Sequence, residues 1–145
     1  MSNQVPQSLK KMLFEGQITG LTDTFKIILM VDGFPFVPAI HNAYADVVAS
    51  EMANGLGYTT GGETLAGVSI DVNDANKTAT ISWNSISWTA DDGSIEASGA
   101  VIYDDSTDDD SDDYTDAIVG YIDFGETITI TNGLILRIYN ICIVI

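Results

Sequence analysis

The most constraining feature of this sequence is an acidic segment that lies between two apolar runs. Eight of the thirteen residues at positions 104–116 are aspartate, and the apolar runs cover residues 100–103 and 117–124. A buried carboxylate without a partner costs more free energy than its burial returns, so the acidic segment is predicted to stay in solvent. The apolar runs favour burial. Together they predict an antiparallel strand pair joined by a charged loop.

The overall charge restricts the possible partners. The chain carries 21 acidic and 5 basic residues, which gives a net charge of −16. Such a surface repels nucleic acid phosphates and anionic membranes, so neither is an expected partner. The N-terminus lacks the continuous apolar stretch of a signal peptide, and the apolar run at residues 134–145 is too short to cross a bilayer. We therefore expect a soluble protein that is made in the cytoplasm, with the C-terminal run as its final strand.

Alternation of apolar and polar residues predicts most of the strands. Residues 68–83 alternate around a polar turn, which predicts a hairpin. Residues 23–31 are apolar on both faces, which is typical of a central strand. Asn132 and Gly133 form a tight-turn signal into the final strand. Frequent turns between sequential hairpins indicate a mainly β protein, with seven or eight strands in an antiparallel β-sandwich or jelly-roll-like domain.

Two segments have helical spacing instead. Residues 43–52 predict one short helix, for which Asn42 is a suitable N-cap, and residues 7–14 predict an N-terminal helical turn. We interpret residues 1–20 as an N-terminal segment that forms a partner-contacting arm. Residues 21–145 are predicted to form a single β-sandwich domain that carries the acidic hairpin loop at 104–116.

No motif predicts catalysis. The single histidine, His41, has no nucleophile motif near it, and no glycine-rich phosphate loop is present. The sequence therefore indicates a non-enzymatic protein without a cofactor. The acidic loop leaves two readings open, a plain solvated loop and weak divalent-ion binding. Hard oxygen ligands for such an ion are available, although their spacing does not follow the EF-hand pattern. These candidate ligands are Asp108, Asp109, Asp110, Asp112 and Asp113.

The large aromatic side chains also allow two interpretations. Their alternating strand positions favour burial in a core or an interface. The alternative is an exposed carbohydrate-binding platform. The residues concerned are Tyr58, Trp83, Trp88, Tyr103, Tyr114 and Tyr121.

Several motifs resemble those of a family of small virion proteins of tailed bacteriophages. They are a GY-x-x-GG turn, a W-S-like stretch that leads into A-V-I-Y, and a Y-I-D-F-G strand, and the likeness covers nearly the whole chain. The acidic insertion and the apolar ending depart from the family pattern. The matching positions are Gly57, Tyr58, Gly61, Gly62, Trp88, Ala97, Ala100, Val101, Ile102, Tyr103, Tyr121, Ile122, Asp123, Phe124 and Gly125.

The resemblance implies a virion structural protein, and our first hypothesis within it is a capsid decoration (cement) protein. Such a protein would bind the major capsid protein on the outer surface of the capsid and form a homo-oligomer, a trimer in our hypothesis. Alternatives are a tail, neck or baseplate component and a carbohydrate- or receptor-binding module. The partner contacts are predicted at residues 9–14 of the N-terminal segment, in the loop at residues 34–37 and in the apolar final strand. The candidate residues are Leu9, Lys10, Lys11, Met12, Phe34, Phe36, Ile141 and Ile143.

Overall fold

The computed structural model describes residues 2–107 and 114–145 and shows a mainly β, antiparallel, sandwich-like fold. This confirms the predicted fold class. The described strands and helices have the following bounds: β1 Ser2–Gln4, α1 Ser8–Phe14, β2 Phe25–Met30, α2 Tyr44–Val47, β3 Glu63–Thr64, β4 Ser69–Asn73, β5 Thr78–Trp83, β6 Ile86–Thr89, β7 Ile95–Asp104, β8 Ile118–Ile130, β9 Ile135–Ile138 and β10 Ile141–Val144.

The β7–β8 hairpin forms the centre of the largest sheet, as the two apolar runs predict. The strand order in this sheet is β1-β8-β7-β2-β3, and every pairing is antiparallel. One expectation about the hairpin is wrong. Asp104, the first aspartate of the acidic segment, is the last residue of β7 and is fully buried. Its position in the strand, opposite Phe25 of β2, keeps it out of solvent.

Both faces of the large sheet are covered, which explains why β2 is apolar on both sides. On one face, Ile27 and Leu29 join a core that includes Trp83 and Trp88 from the two smaller sheets. On the other face, Ile28 packs with residues of the 34–47 segment, among them Phe36 and Val47. Strands that are buried on two sides have near-continuous hydrophobic sequences. The prediction of a central strand at residues 23–31 is therefore confirmed for Phe25–Met30.

The smaller sheets contain the predicted 68–83 hairpin and the C-terminal run. Strands β4 and β5 pair with Ile70 opposite Ile81, which confirms that hairpin. The C-terminal run does not form one final strand. It divides at Asn140, which has a positive φ of 52°, into β9, which pairs with β6, and β10, which pairs with β5.

The N-terminal residues belong to the β domain and do not form a separate arm. Strand β1 pairs with β8, and α1 buries Leu9 and Met12 in the main core. The predicted helical turn at residues 7–14 is confirmed by α1. The helix predicted at residues 43–52 is shorter, because α2 covers Tyr44–Val47 and passes into a 3₁₀ turn at Val48–Ser50. Its N-terminus is stabilised by Asp46, which accepts hydrogen bonds from the backbone of Asn42 and Ala43, and not by the Asn42 side chain.

The GY-x-x-GG turn needs its last glycine for packing. Gly62 has a φ of +75°, and a Cβ at this position would lie 2.0 Å from the carbonyl oxygen of Ile27. Only glycine allows two backbone segments to approach so closely in this conformation. The motif is therefore explained by the fold.

Candidate docking surface

An apolar groove lies between α1 and the β4–β5 hairpin, and we call it the Phe14 groove. Its volume is about 520 Å³. It continues inward to a smaller cavity of about 90 Å³, which is lined by core residues such as Leu9 and Ile143. The groove is lined by Lys10, Leu13, Phe14, Val72, Lys77, Thr78, Ala79 and Ile145.

Phe14 is far more exposed than the residues of its helix that belong to the core. The exposed fraction of Phe14 is 92%, whereas that of Met12 is 1%. Helical residues three or four apart share a face, so Leu9, Met12 and Leu13 point to the domain while Phe14 shares the side of Lys10. Burying a phenylalanine side chain stabilises a protein by roughly 1.5–3 kcal/mol, and this chain leaves that contribution unused.

The hairpin contributes further exposed apolar surface on the opposite side of the groove. All five residues of β4 are exposed, and the exposed fraction of Val72 is 72%. Strand β4 is also one of the two outer strands of its sheet, whose order is β10-β5-β4. An exposed apolar edge next to an apolar groove is a typical protein–protein contact surface.

The rim of the groove is basic, although the chain as a whole is strongly acidic. Lys10 and Lys77 line it, and they are two of only five basic residues in the chain. Lys11, on the same helix, forms an ion pair with Glu15 at 3.0 Å. No acidic residue lines the groove among the residues that the structure describes. The groove therefore combines an apolar floor with a local positive charge.

Comparison with known proteins identifies no relative. No protein-family model, no curated protein and no solved structure matches this chain. The bacteriophage resemblance therefore remains a prediction from the sequence motifs alone.

Only some of the predicted contact residues lie at this surface. Lys10 and Lys11 are exposed, and Lys10 lines the groove. Most of the apolar candidates are in the interior, because their side chains pack into the two hydrophobic clusters on either face of the large sheet. The buried candidates are Leu9, Met12, Phe36, Ile141 and Ile143, with exposed fractions from 0% to 9%.

The predicted loop contact at residues 34–37 is also largely intramolecular. Phe36 stacks on Tyr121 with ring centroids 5.1 Å apart, and Phe34 packs edge-on against the same ring at 5.5 Å. Phe34 is half-buried. These rings cover one face of the large sheet and do not form a free contact surface.

Val72 and Lys77 line the groove although the sequence did not predict them as contacts, whereas Ile145 belongs to the C-terminal run that was predicted as one. Val72 was assigned to the hairpin by its alternation, and that assignment is correct. Alternation shows which residues share a face of a strand, but not whether another part of the chain covers that face. The position of Phe14 had a usable signal, since it lies off the helical face that Leu9, Met12 and Leu13 share.

The favoured prediction that the large aromatic side chains are buried is confirmed for most of them, and the alternative of an exposed platform is wrong for these residues. Tyr58, Trp83, Trp88, Tyr103 and Tyr121 have exposed fractions of 2–6%, and Tyr114 packs partly buried against the core. Tyr58, Trp83 and Trp88 belong to the main core, where Trp83 makes a T-shaped contact with Phe25 at 5.2 Å. Tyr103 and Tyr121 pack on the other face of the large sheet. These rings cannot present a flat surface to a sugar.

The polar groups best placed for chemistry have structural partners. His41 lies in the loop before α2, as predicted, where its Nδ1 accepts a hydrogen bond from the Val37 backbone at 3.0 Å. The buried Glu51 accepts hydrogen bonds from the Tyr44 and Tyr58 hydroxyls and from the Gly61 backbone. Burial and the nearby Glu51 carboxylate raise the pKa of both tyrosines well above the ordinary value.

The predicted calcium ligands at residues 108–113 lie outside the part of the chain that the structure describes. Within residues 2–107 and 114–145, no three acidic, histidine or cysteine side chains are grouped so that they could hold a metal ion. In the same residues, no helix is both long and apolar enough to cross a membrane.

Proposed function

We propose that this chain is a non-enzymatic virion structural protein that attaches to neighbouring shell subunits through the Phe14 groove. The observation that carries the proposal is the 92% exposure of Phe14 beside an apolar groove. The sequence motifs support a bacteriophage virion protein, and within that class a capsid decoration protein on the outer surface of the capsid. The partner is then the major capsid protein.

The chemistry of the groove specifies what the partner presents. An apolar side chain enters the groove against Phe14, and acidic side chains next to it meet Lys10 and Lys77. Apolar burial supplies the affinity, and the complementary charges supply orientation and a faster encounter. With a net charge of −16, most of this chain's surface repels an acidic partner. The basic rim therefore directs such a partner to the Phe14 groove.

Decoration requires only modest affinity for each copy. If the protein is a homo-oligomer, as we propose, several grooves engage the shell at once, and avidity multiplies the weak individual contacts. A trimer on a capsid symmetry axis is the simplest such arrangement. The acidic segment at the hairpin would then add negative charge to the particle surface, which opposes aggregation.

The open edge of β4 supports a second candidate function. Because β4 is an outer strand with five exposed residues, it offers unpaired backbone groups to a strand of another subunit. Rings of a tail, neck or baseplate can assemble through such contacts. The copy number in the particle distinguishes the two candidates, since decoration proteins are present in far more copies than tail components.

Attachment can be tested by co-sedimentation with shells of the encoding phage that lack this protein. We expect Phe14→Ser and Lys10→Glu to weaken binding at least tenfold. Leu21→Ser is the matched control, because Leu21 is 63% exposed and does not line the groove. Wild-type binding by the Phe14→Ser protein would exclude the groove as the attachment surface. Failure of the wild-type protein to bind any shell would exclude the decoration function.

A further inference from the structure

A buried carboxyl group at the base of the β7–β8 hairpin has one oxygen without a hydrogen-bond donor. Asp104 is 0% exposed. Its Oδ1 accepts hydrogen bonds from the backbone N–H and the hydroxyl of Ser106, at 2.9 Å and 2.5 Å. Its Oδ2 is buried and has no donor among the residues that the structure describes. An ionised oxygen in this position would be costly, because no donor compensates its charge.

A second carboxyl group, that of Asp23, lies within hydrogen-bonding reach of the first. Two ionised carboxylates offer acceptors only, so a hydrogen bond between these side chains needs a proton on one of them. Asp23 is half-buried and is held in place by Thr19, whose backbone N–H donates to Asp23 Oδ2 at 2.5 Å. Because Ser106 already occupies Oδ1 of Asp104, the other oxygen, Oδ2, is left for a proton shared with Asp23.

The acid pair lies where the chain before β2 meets the base of the hairpin. The backbone N–H of Asp105 donates to the Thr24 carbonyl at 2.8 Å, and the Thr24 N–H donates to the Ser106 hydroxyl at 3.1 Å. Phe25 and Asp104 are also register partners in β2 and β7. A change in the charge of the pair therefore acts on the contact between these two segments.

The charged groups around the pair favour retention of its proton. Lys26 of β2 forms its ion pair with Asp105, at 3.3 Å. Asp116, which precedes β8, adds a further carboxyl group, whose pKa is raised by burial and by Asp105 and lowered by Lys26. Burial, together with the hydrogen bond to Asp23, raises the pKa of Asp104 to about 7. The described surroundings thus hold more negative charge than the one lysine balances.

We propose that Asp23 and Asp104 share one proton and form a pH-sensitive latch at the base of the β7–β8 hairpin. With the proton, a buried hydrogen bond joins the two segments. Without it, two adjacent carboxylates repel each other in a site of low dielectric constant, and the contact between the segments weakens. The folded state holds the proton up to a pH of about 7, whereas an unperturbed aspartate loses it near 3.8. The stabilisation is therefore complete below pH 3.8 and is lost as the pH rises through about 7.

The direct test is a ¹³C NMR titration of the side-chain carboxyl groups in the full chain, from about pH 4.5 to about pH 9. We expect one carboxyl resonance to titrate with an apparent pKa near 7, as a property of the pair. This titration should be absent in Asp104→Asn and should move to lower pH in Asp23→Asn, whose amide donates to the remaining carboxylate. If every wild-type carboxyl group titrates below about pH 5, or if Asp23→Asn leaves the titration near neutral pH unchanged, the two residues share no proton.

Thermal unfolding measures the effect of the latch on stability. In Asp104→Asn, the amide N–H takes the place of the shared proton at every pH. Between about pH 5 and about pH 8, the wild-type melting temperature should therefore fall by roughly 4 °C more than that of Asp104→Asn. Asp74→Asn is the matched control, because Asp74 is an exposed acidic residue in the β4–β5 turn, and it should follow the wild-type protein.

An equal fall in the wild-type protein and Asp104→Asn would assign the pH dependence to the overall negative charge and would overturn the latch. Neither measurement bears on attachment through the Phe14 groove, so the two proposals fail independently.

Discussion

The Tyr58 hydroxyl donates a 2.6 Å hydrogen bond to Oε1 of Glu51, a carboxylate that is only 7% exposed. The same hydroxyl accepts a bond from the Leu29 backbone at 3.2 Å. Glu51 also accepts bonds from the Tyr44 hydroxyl and the Gly61 N–H. One buried carboxylate thereby joins α2, the glycine turn and β2, and all three contacts are satisfied. This network explains why a charged residue can lie in the core.

Replacement of Glu51 should destabilise the fold because the network has no spare acceptor. In Glu51→Gln the amide offers one acceptor oxygen where the carboxylate offered two, so one buried donor loses its partner. We expect a loss of roughly 1–3 kcal/mol in the free energy of unfolding, measured by urea denaturation. Glu96→Gln, at an exposed position of β7, should change it by less than about 0.5 kcal/mol. Equal effects of the two substitutions would contradict a structural role for Glu51.

Alkaline pH should unfold this protein through its buried tyrosines. Burial raises the pKa of Tyr44, Tyr58, Tyr103 and Tyr121 above the ordinary value of 10.0. Between the ordinary and the raised pKa, the folded state binds more protons than the unfolded state. Stability is therefore fully present below pH 10 and is lost as the pH rises above it.

The measurement is tyrosinate absorbance recorded together with circular dichroism during a titration above pH 10. We expect ionisation of these four side chains to coincide with loss of the β signal. Ionisation of all tyrosines while the β signal persists would show that the four hydroxyls are accessible in the folded state.

Substitution at Gly62 should be far more costly than at another glycine of similar backbone conformation. A Cβ at Gly62 would lie 2.0 Å from the Ile27 carbonyl oxygen, whereas a Cβ at Gly33, with a φ of +73°, meets no atom within 4 Å. We expect Gly33→Ala to cost roughly 1–2 kcal/mol from its left-handed conformation alone. Gly62→Ala must in addition separate two backbone segments, so we expect a loss of at least about 3 kcal/mol or failure to fold. Similar chemical denaturation midpoints for the two variants would argue against this contact.

The acidic segment contains two polar residues, Ser106 and Thr107, that the fold requires. Thr107 is buried, and its Oγ1 accepts a bond from the Ala117 N–H at 2.8 Å and donates one to the Asp104 carbonyl at 3.0 Å. Ser106 donates to Asp104. Ser106 and Thr107 therefore hold the base of the hairpin together.

Thr107→Val tests this point with nearly the same side-chain volume. It leaves the buried Ala117 N–H without an acceptor, so we expect a loss of roughly 1–3 kcal/mol in the free energy of unfolding. Thr115→Val is the control, because Thr115 is exposed on the other side of the hairpin. If both variants unfold at the same urea concentration, Thr107 does not anchor the hairpin.

The sequence predicted the strands better than it predicted their neighbours. The alternation at residues 68–83 and the apolar runs around the acidic segment correctly identified two hairpins. The run at residues 134–145 was predicted as one strand, and the structure divides it between two sheets. Strand pairing across many residues depends on packing elsewhere, so local alternation does not determine it.

The candidate site shows the same difference between local pattern and tertiary structure. By itself, the sequence determined that the chain is mainly β, that it is strongly acidic, and that two of its five basic residues, Lys10 and Lys11, are adjacent near the N-terminus. Only the tertiary structure decided that Ile141 and Ile143 are core residues while Phe14 and Val72 are exposed. It also placed Asp104 inside the domain, facing Asp23, although the acidic segment as a whole predicted solvent exposure. The physical reason is that burial depends on what covers a face, and the covering residues come from distant parts of the chain.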